Sequence, residues 1–158
     1  MKRVASGSNV TTLVFTRHQV KYLTEKTVSM RGRESCGLLS GRVVAGYALV
    51  EGVHFATNVC ESADEFAIAP IEYLAIVKSL REDLFVVGVF HSHCGDARPS
   101  KADVESITLM PVVWLILGNT AAGIAERVSL NAIAPCDSGA RQVLVCDEDE
   151  LAVGLTTA

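Results

Sequence analysis

Apolar residues form several short runs along the chain, and such runs bounded by turn residues are typical of strands buried in a sheet. The clearest run covers residues 85–90 and leads directly into the polar sequence His91-Ser92-His93. Gly46 stands between two other runs and is a suitable turn residue, which predicts a hairpin. Strands are predicted at residues 12–16, 36–44, 47–57, 85–93, 112–117, 123–133 and 141–146.

Two longer segments carry apolar residues at helical spacing, and a third begins with a capping pattern. Helices are predicted at residues 17–30, 70–82 and 100–108. Pro70 is favoured at the first position of a helix, and Ser100 with Asp103 matches a capping box. Because helices interrupt the strands without regular alternation, the expected fold class is α+β with a mixed, largely antiparallel sheet.

The composition indicates a single globular domain. Of 158 residues, 49% are apolar and 20% are charged, which supplies a core and excludes a disordered chain. We predict a flexible lead-in at residues 1–11, one domain at 12–146 and an acidic tail at 147–158. The mean hydropathy of +0.33 is high for a globular domain and favours a well-filled core, with an apolar homodimer face as a further expectation.

Charge and cysteine content exclude several classes of protein. The net charge is −4 and Lys and Arg do not cluster, which argues against a nucleic-acid surface and a membrane-binding patch. The five cysteines include no Cys-x-x-Cys pair, so neither a disulfide framework nor a zinc knuckle is expected, and a cytoplasmic location fits. No signal segment is predicted, and no apolar run approaches the roughly 18 residues that span a bilayer.

The two histidines of His91-Ser92-His93 are the strongest candidates for chemistry. Alternate residues of a strand share a face, so both imidazoles can reach one point, and Asp103 can supply a third ligand. A catalytic zinc ion uses three protein ligands and keeps its fourth position open for water. The alternative is a strand that simply ends in polar residues at the surface. Gly95 in the following loop favours a sheet end, where a cleft can form.

Three further residues each have more than one interpretation. Ser100 is a helix cap, and in that position it would also hold Asp103 rigidly in the first helical turn. Glu34 directly precedes a predicted strand, where an acid is most often solvated, although it could be a general base beside an activated water. Cys94 follows His93, and because adjacent side chains reach one metal ion with difficulty, we interpret it as a loop residue.

Together these blocks resemble the JAMM (MPN+) metalloproteases, particularly their small prokaryotic members. Residues 34–41 are similar to the family's Glu-x-Cys-Gly-Leu-Leu-x-Gly segment. Asn58 and residues 66–70 are similar to its polar loop and the start of the following helix. Residues 91–93 and 100–103 are similar to its metal signature, His-Ser-His followed by Ser-x-x-Asp.

The resemblance implies one zinc ion per chain, bound by His91, His93 and Asp103. Glu34 would act as base for the attacking water, and Ser100 would help to stabilise the oxyanion. The implied fold is the JAMM/MPN fold, a curved β-sheet flanked by helices, similar to that of cytidine deaminases. Substrates in the family are amide or isopeptide bonds at the C-terminus of ubiquitin or ubiquitin-like proteins, which in bacteria are often small sulfur-carrier proteins ending in Gly-Gly.

The loop after the second histidine departs from the family pattern. Six residues separate His93 from Ser100, whereas the family usually has seven, and Cys94 stands where proline is common. If the shorter loop carried Asp103 away from the histidines, Asp96 would be the alternative third ligand.

Two hypotheses of function follow from the sequence. The first is a zinc-dependent metallopeptidase acting on the C-terminal tail of a ubiquitin-like or sulfur-carrier protein, either to trim a precursor or to release an amino acid joined there. The alternative is a metal-free protein-binding scaffold of the MPN type, a role that family members lacking metal ligands fulfil. This chain keeps every ligand of the pattern, which favours the enzyme.

Overall fold

One β-sheet with three helices makes up the part of the chain that the computed structural model describes, which is residues 3–30, 33–122 and 125–151. The strands are β1 (Thr12–Phe15), β2 (Cys36–Val44), β3 (Tyr47–Ala56), β4 (Phe85–His93), β5 (Val113–Ala122), β6 (Ala125–Cys136) and β7 (Gly139–Asp147). The helices are α1 (Arg17–Ser29), α2 (Pro70–Ser79) and α3 (Lys101–Ser106). None of these helices is both long and apolar enough to cross a bilayer.

The sheet closes on itself as a barrel, in the strand order β1-β3-β2-β4-β5-β6-β7. Strand β1 is parallel to both β3 and β7, and β4 is parallel to β5, while the other neighbours are antiparallel. The expected α+β class and mixed sheet are confirmed, and the sheet expected to be curved is a closed barrel of seven strands. The reason is β1, whose backbone pairs on both sides and so leaves neither β3 nor β7 with a free edge.

Most predicted elements occur close to their expected positions. Strands β2 and β4 have the predicted limits, and α2 starts at Pro70 as expected but ends at Ser79, because the next residue, Leu80, is extended and buried. Strand β5 continues to Ala122, beyond its predicted end. The predicted start of the next strand at residue 123 lies outside the described residues.

Residues 3–11 are packed against the barrel, which differs from the flexible lead-in expected from the sequence. Val4 forms a parallel bridge with Val86, and Val10 is fully buried. The pairing of β4 with β5 begins only at Gly88, so the lead-in occupies a stretch of β4 that β5 leaves unpaired. At the other end a short helical turn at 148–151 follows β7, and the remainder of the predicted acidic tail, 152–158, lies outside the described residues.

Alternation along β4 separates the two faces that matter for function. Phe90 belongs to an apolar cluster that includes Leu23 of α1. Val89 belongs to a second cluster, which includes Ile107 and Trp114. The end of β4 therefore presents alternate residues to α1 on one side and to the region of α2 and α3 on the other.

Candidate active site

His91 and His93 share the face of β4 that lies opposite α1, as the strand period requires. Their Nε2 atoms are 3.0 Å apart. His91 is buried, and burial lowers its pKa, which favours the neutral imidazole that binds a metal. Its Nδ1 atom is buried without a hydrogen-bond partner in the described part of the chain, so His91 makes its polar contacts through Nε2.

Asp103 is delivered to the two histidines by the first turn of α3. The helix begins with a capping box, in which Ser100 Oγ accepts from the Asp103 backbone N–H at 3.1 Å and Asp103 Oδ2 accepts from the Ser100 N–H at 2.7 Å. Asp103 Oδ1 lies 3.0 Å from His91 Nε2, and Oδ2 lies 3.3 Å from His93 Nε2. The Asp103 carboxylate thus completes the cap of α3 and also contacts both histidines.

Close contacts set the protonation states of Asp103 and His93. Burial alone would raise the pKa of Asp103, but the hydrogen bonds from both histidines hold it well below its usual range. The same hydrogen bond with Asp103 raises the pKa of His93. His93 Nδ1 also donates to the backbone carbonyl of Asp96 at 3.3 Å, so Nε2 is the nitrogen of His93 that faces His91 and Asp103.

The six-residue loop reaches α3 because β5 lets it approach closely. Gly118, paired with His93 across β4 and β5, has no side chain, and a Cβ there would lie 2.5 Å from the Ala97 nitrogen. Asn131 Nδ2 donates to the Ala97 carbonyl at 2.9 Å. The carboxylate of Asp96, the alternative ligand, is exposed and engaged by Arg98 at 2.6 and 2.8 Å. The shorter loop therefore still brings Asp103, and not the Asp96 carboxylate, to the histidines.

Glu34 enters the site because β2 and β4 are antiparallel. Cys36 pairs with His91, so the residue two positions before Cys36 lies level with His93 at the end of β4. Glu34 is buried, and burial raises the pKa of its carboxyl group to about 7, an effect that nearby His93 opposes and Asp103 reinforces. A carboxyl group with this pKa is suited to exchange protons near neutral pH.

One cavity of about 710 Å³ connects the predicted site residues. Glu34, His93, Ser100 and Asp103 line it, and His91 lies directly behind them in contact with Asp103. The rest of the wall is largely apolar. It includes Phe66, Ile68, Tyr73, Leu74, Leu109, Met110 and Trp114.

Sequence reasoning missed the aromatic support of the site. The Phe66 ring stacks on the His91 ring, with centroids 4.4 Å apart and planes at 17°, and Trp114 lies edge-on to the same imidazole at 6.0 Å. In the sequence, Phe66 stands only within residues 66–70 of the family resemblance, and Trp114 only within the predicted strand 112–117. Neither position carries a local signal that would place it against a histidine.

Comparison with known proteins identifies the family of this chain. A family model described as prokaryotic homologues of the JAB domain matches residues 20–131, which include all five predicted site residues. The chain belongs to this family. Within the curated proteins, a desampylase from Pyrococcus furiosus is 36% identical to this JAB-domain chain over 114 residues, which cover 71% of the chain and 78% of the relative.

Solved structures show that the similarity extends over most of this JAB-domain chain. A protein from Desulfitobacterium hafniense, solved in solution, has a TM-score of 0.72 at 26% identity and covers 87% of this chain and 92% of its own. A protein from Salinibacter ruber, also solved in solution, has a TM-score of 0.59 at 25% identity, covering 89% and 94%.

The raised pKa of Glu34 predicts a pH-dependent effect on the stability of the metal-free protein. Below its ordinary pKa of 4.5 the carboxyl group is protonated in both folded and unfolded chains. Between 4.5 and about 7 only the unfolded chain ionises, so stability is lost as the pH rises. Glu34→Gln should then stabilise the metal-free protein by about 2 to 3 kcal/mol at pH 8 and hardly at all at pH 4.

Urea unfolding at the two pH values measures this effect. The exposed acid Glu61, changed to Gln, controls for the loss of one negative charge. Equal stability of Glu34→Gln and the unmodified protein at pH 8 would show that Glu34 is not held in a desolvated position.

The close approach of the loop to β5 predicts that Gly118→Ala weakens metal binding. The added methyl group would push residues 96–97 away from the sheet and displace Ser100 and Asp103 with them. Zinc affinity, measured by titration with a competing chelator, should fall at least about tenfold, as for other losses of support around metal ligands. Gly95→Ala is the matched control, because a Cβ at that position meets nothing within 4 Å and should leave affinity unchanged.

Proposed function

We propose that this chain is a zinc-dependent metallopeptidase that hydrolyses an amide or isopeptide bond at the C-terminus of a ubiquitin-like or sulfur-carrier protein. The observation that carries the proposal is the convergence of His91, His93 and Asp103 beside Glu34 and Ser100 in one cavity. The name of the 36% identical relative, a desampylase, supports removal of a small protein modifier as the reaction. We place this activity in the cytoplasm, where the cysteines of the chain would stay reduced.

The donor set fits a zinc ion. Two imidazole nitrogens and a carboxylate oxygen are ligands that zinc prefers, and all three atoms lie within 4.8 Å of one another. Two ligand atoms of one tetrahedral zinc ion are about 3.3 Å apart, given the usual zinc–nitrogen distances. His91 Nε2 lies 3.0 Å from both His93 Nε2 and Asp103 Oδ1, close to that value, and His93 Nε2 lies 3.3 Å from the other Asp103 oxygen, Oδ2. Bound there, zinc would lower the pKa of water to about 7 and polarise the substrate carbonyl.

Glu34 and Ser100 would carry out the proton transfer and the charge stabilisation. Glu34 takes a proton from the attacking water and returns it to the leaving amine, as a general base and then a general acid. Ser100 Oγ accepts from Asp103 N–H through a lone pair, so its own proton stays available for an oxyanion in the cavity. One such donor contributes about 3 kcal/mol to transition-state stabilisation.

The cavity wall supports a polypeptide tail as the substrate. Its apolar part, which includes Tyr73 and Leu74 of α2 and Leu109 and Met110 of the segment after α3, suits an extended chain with apolar side chains. Leu109 is 87% exposed and Leu74 is 50% exposed, so each has apolar surface available to a bound protein.

The metal-free MPN-type scaffold remains the alternative, and zinc stoichiometry separates the two hypotheses. Burial of the Asp103 carboxylate beside Glu34 carries a desolvation cost, and a bound cation, which a scaffold would lack, would offset it. An intact ligand set in a cavity that also contains Glu34 favours the enzyme.

Substitution of the proposed ligands and base should separate metal binding from catalysis. His91→Ala and Asp103→Ala should lose zinc binding and cleavage together, whereas Glu34→Gln should keep zinc and lose cleavage by about 100-fold or more, as for loss of a general base. Asp96→Asn is the matched acid control and should retain both. Zinc content by elemental analysis and cleavage of a carrier protein extended past Gly-Gly measure the two properties. If Asp103→Ala retained zinc and Asp96→Asn lost it, Asp96 rather than Asp103 would be the third ligand.

The apolar wall of the cavity predicts that a charged substitution there weakens substrate binding and leaves the rate of the chemical step unchanged. Leu109→Glu should raise KM for the carrier-protein substrate roughly tenfold, the value of burying part of a leucine side chain, with kcat little changed. Leu144→Glu on β7 is the matched control, since Leu144 is 69% exposed and lies outside the cavity lining. An equal KM in both variants would show that the substrate does not use this wall.

A further inference from the structure

The peptide bond between Glu34 and Ser35 is held at both of its polar atoms by side chains. The Glu34 carbonyl accepts from Asn58 Nδ2 at 3.1 Å. The Ser35 N–H donates to Ser92 Oγ at 2.8 Å. The strand pairing of β2 begins only at Cys36, so this peptide bond lies just outside the ladder that orders the strand.

Asn58 is itself a fixed anchor. Its amide nitrogen also donates to the Glu65 carbonyl at 3.1 Å, and its oxygen accepts from the backbone N–H groups of Cys60 at 2.9 Å and Ala67 at 3.0 Å. The side chain is buried, and these contacts use both of its donors and both acceptor positions. One residue therefore ties Glu34 to the loop that carries Phe66, the ring stacked on His91.

Ser92 anchors the other side of the same peptide bond. It lies between His91 and His93 but points to the α1 face of β4, where Ser35 Oγ donates to its hydroxyl at 3.0 Å and Ser35 in turn contacts Thr27 Oγ1 of α1 at 3.3 Å. The Ser92 N–H also donates to the Ser35 carbonyl at 2.9 Å. Ser35 is thus joined to the strand that carries both histidines.

We propose that Asn58 and Ser92 are positioning residues that hold the Glu34 carboxylate in register with His93. The Glu34–Ser35 peptide plane fixes the backbone dihedrals on either side of it, and these set the direction of the Glu34 side chain. Asn58 in its loop and Ser92 in β4 both hold that plane. A residue outside the strand ladder would otherwise be free to change its backbone dihedrals, and these two contacts remove that freedom. The proposal rests on the proposed function, in which Glu34 is the base, and assigns neither residue to the chemistry itself.

Kinetics of Ser92→Ala and Asn58→Asp test the proposal. The first removes the acceptor for Ser35, and the second removes both amide donors while keeping the acceptor oxygens. Each should lower kcat by about 10- to 100-fold with KM and zinc affinity within about twofold, because displacement of a catalytic group affects the chemical step. Ser40→Ala is the matched control, a buried serine of β2 whose hydroxyl contacts His54 at 2.8 Å, away from the cavity.

Combination with Glu34→Gln separates positioning from general stability. If Ser92 acts through Glu34, Ser92→Ala should lower kcat no further once Glu34 is Gln. A purely structural role would lower kcat equally in both backgrounds. Should Asn58→Asp fail to fold, Ser92→Ala alone decides the outcome.

Amide hydrogen exchange in the zinc-free protein gives a readout that needs no activity. The Ser35 amide should be protected, and Ser92→Ala should speed its exchange at least about tenfold while leaving Leu38, within the β2 ladder, unchanged. Suppose that the unmodified protein cleaves no carrier tail while Ser92→Ala still speeds exchange of the Ser35 amide. In that case the proposed function is wrong, but the restraint of the Glu34–Ser35 peptide bond by Ser92 is confirmed. Unchanged Ser35 exchange, or kcat in Ser92→Ala equal to that of Ser40→Ala, would overturn the positioning role.

Discussion

The antiparallel register of β2 and β4 is the constraint on which the site depends. Cys36 opposite His91 places the residues before β2 beside the last residues of β4, so Glu34 and the two histidines, which are far apart in sequence, meet at one end of the sheet. A register shift of one residue would turn His91 and His93 to the α1 face and Ser92 into the cavity. Burial of Phe90 in the cluster around α1 opposes such a shift, since it would move an aromatic ring out of the core.

The position of Asp103 depends on a different kind of constraint. Asp103 is held by a helix cap, and the cap is brought to β4 by a loop that packs where Gly118 has no side chain. The same carboxylate closes the cap and contacts both histidines. Local folding of α3 and assembly of the site are therefore coupled, and a shorter loop is tolerated as long as its approach to β5 stays open.

Local sequence signals were enough to predict β4, the start of α3 and the positions of the two histidines and Asp103 on them. The apolar run before His91 set the limits of β4, and the period of a strand put the two imidazoles on one face. The capping pattern located the start of α3 and with it Asp103. Glu34 was a different case, because its position alone favoured a solvated acid and only the family resemblance assigned it a role.

Long-range pairing could not be predicted in the same way. Closure of the barrel depends on β1, a strand of four residues that pairs with β3 and β7, and nothing in its own sequence specifies two distant partners. The packed lead-in, the stacking of Phe66 on His91 and the bonds of Asn58 have the same origin. Each arises from residues brought together by the tertiary fold, which local periodicity does not describe.

We propose that the residues lining this cavity, together with a zinc ion, hydrolyse the C-terminal tail of a small carrier protein. The most direct measurement is the intact mass of a carrier protein, extended past its Gly-Gly by a short peptide, after incubation with the unmodified chain loaded with one equivalent of zinc. We expect a product ending in Gly-Gly, and none after zinc has been removed by a chelator. An unchanged mass with the zinc-loaded chain, or equal cleavage in the presence of the chelator, would contradict it.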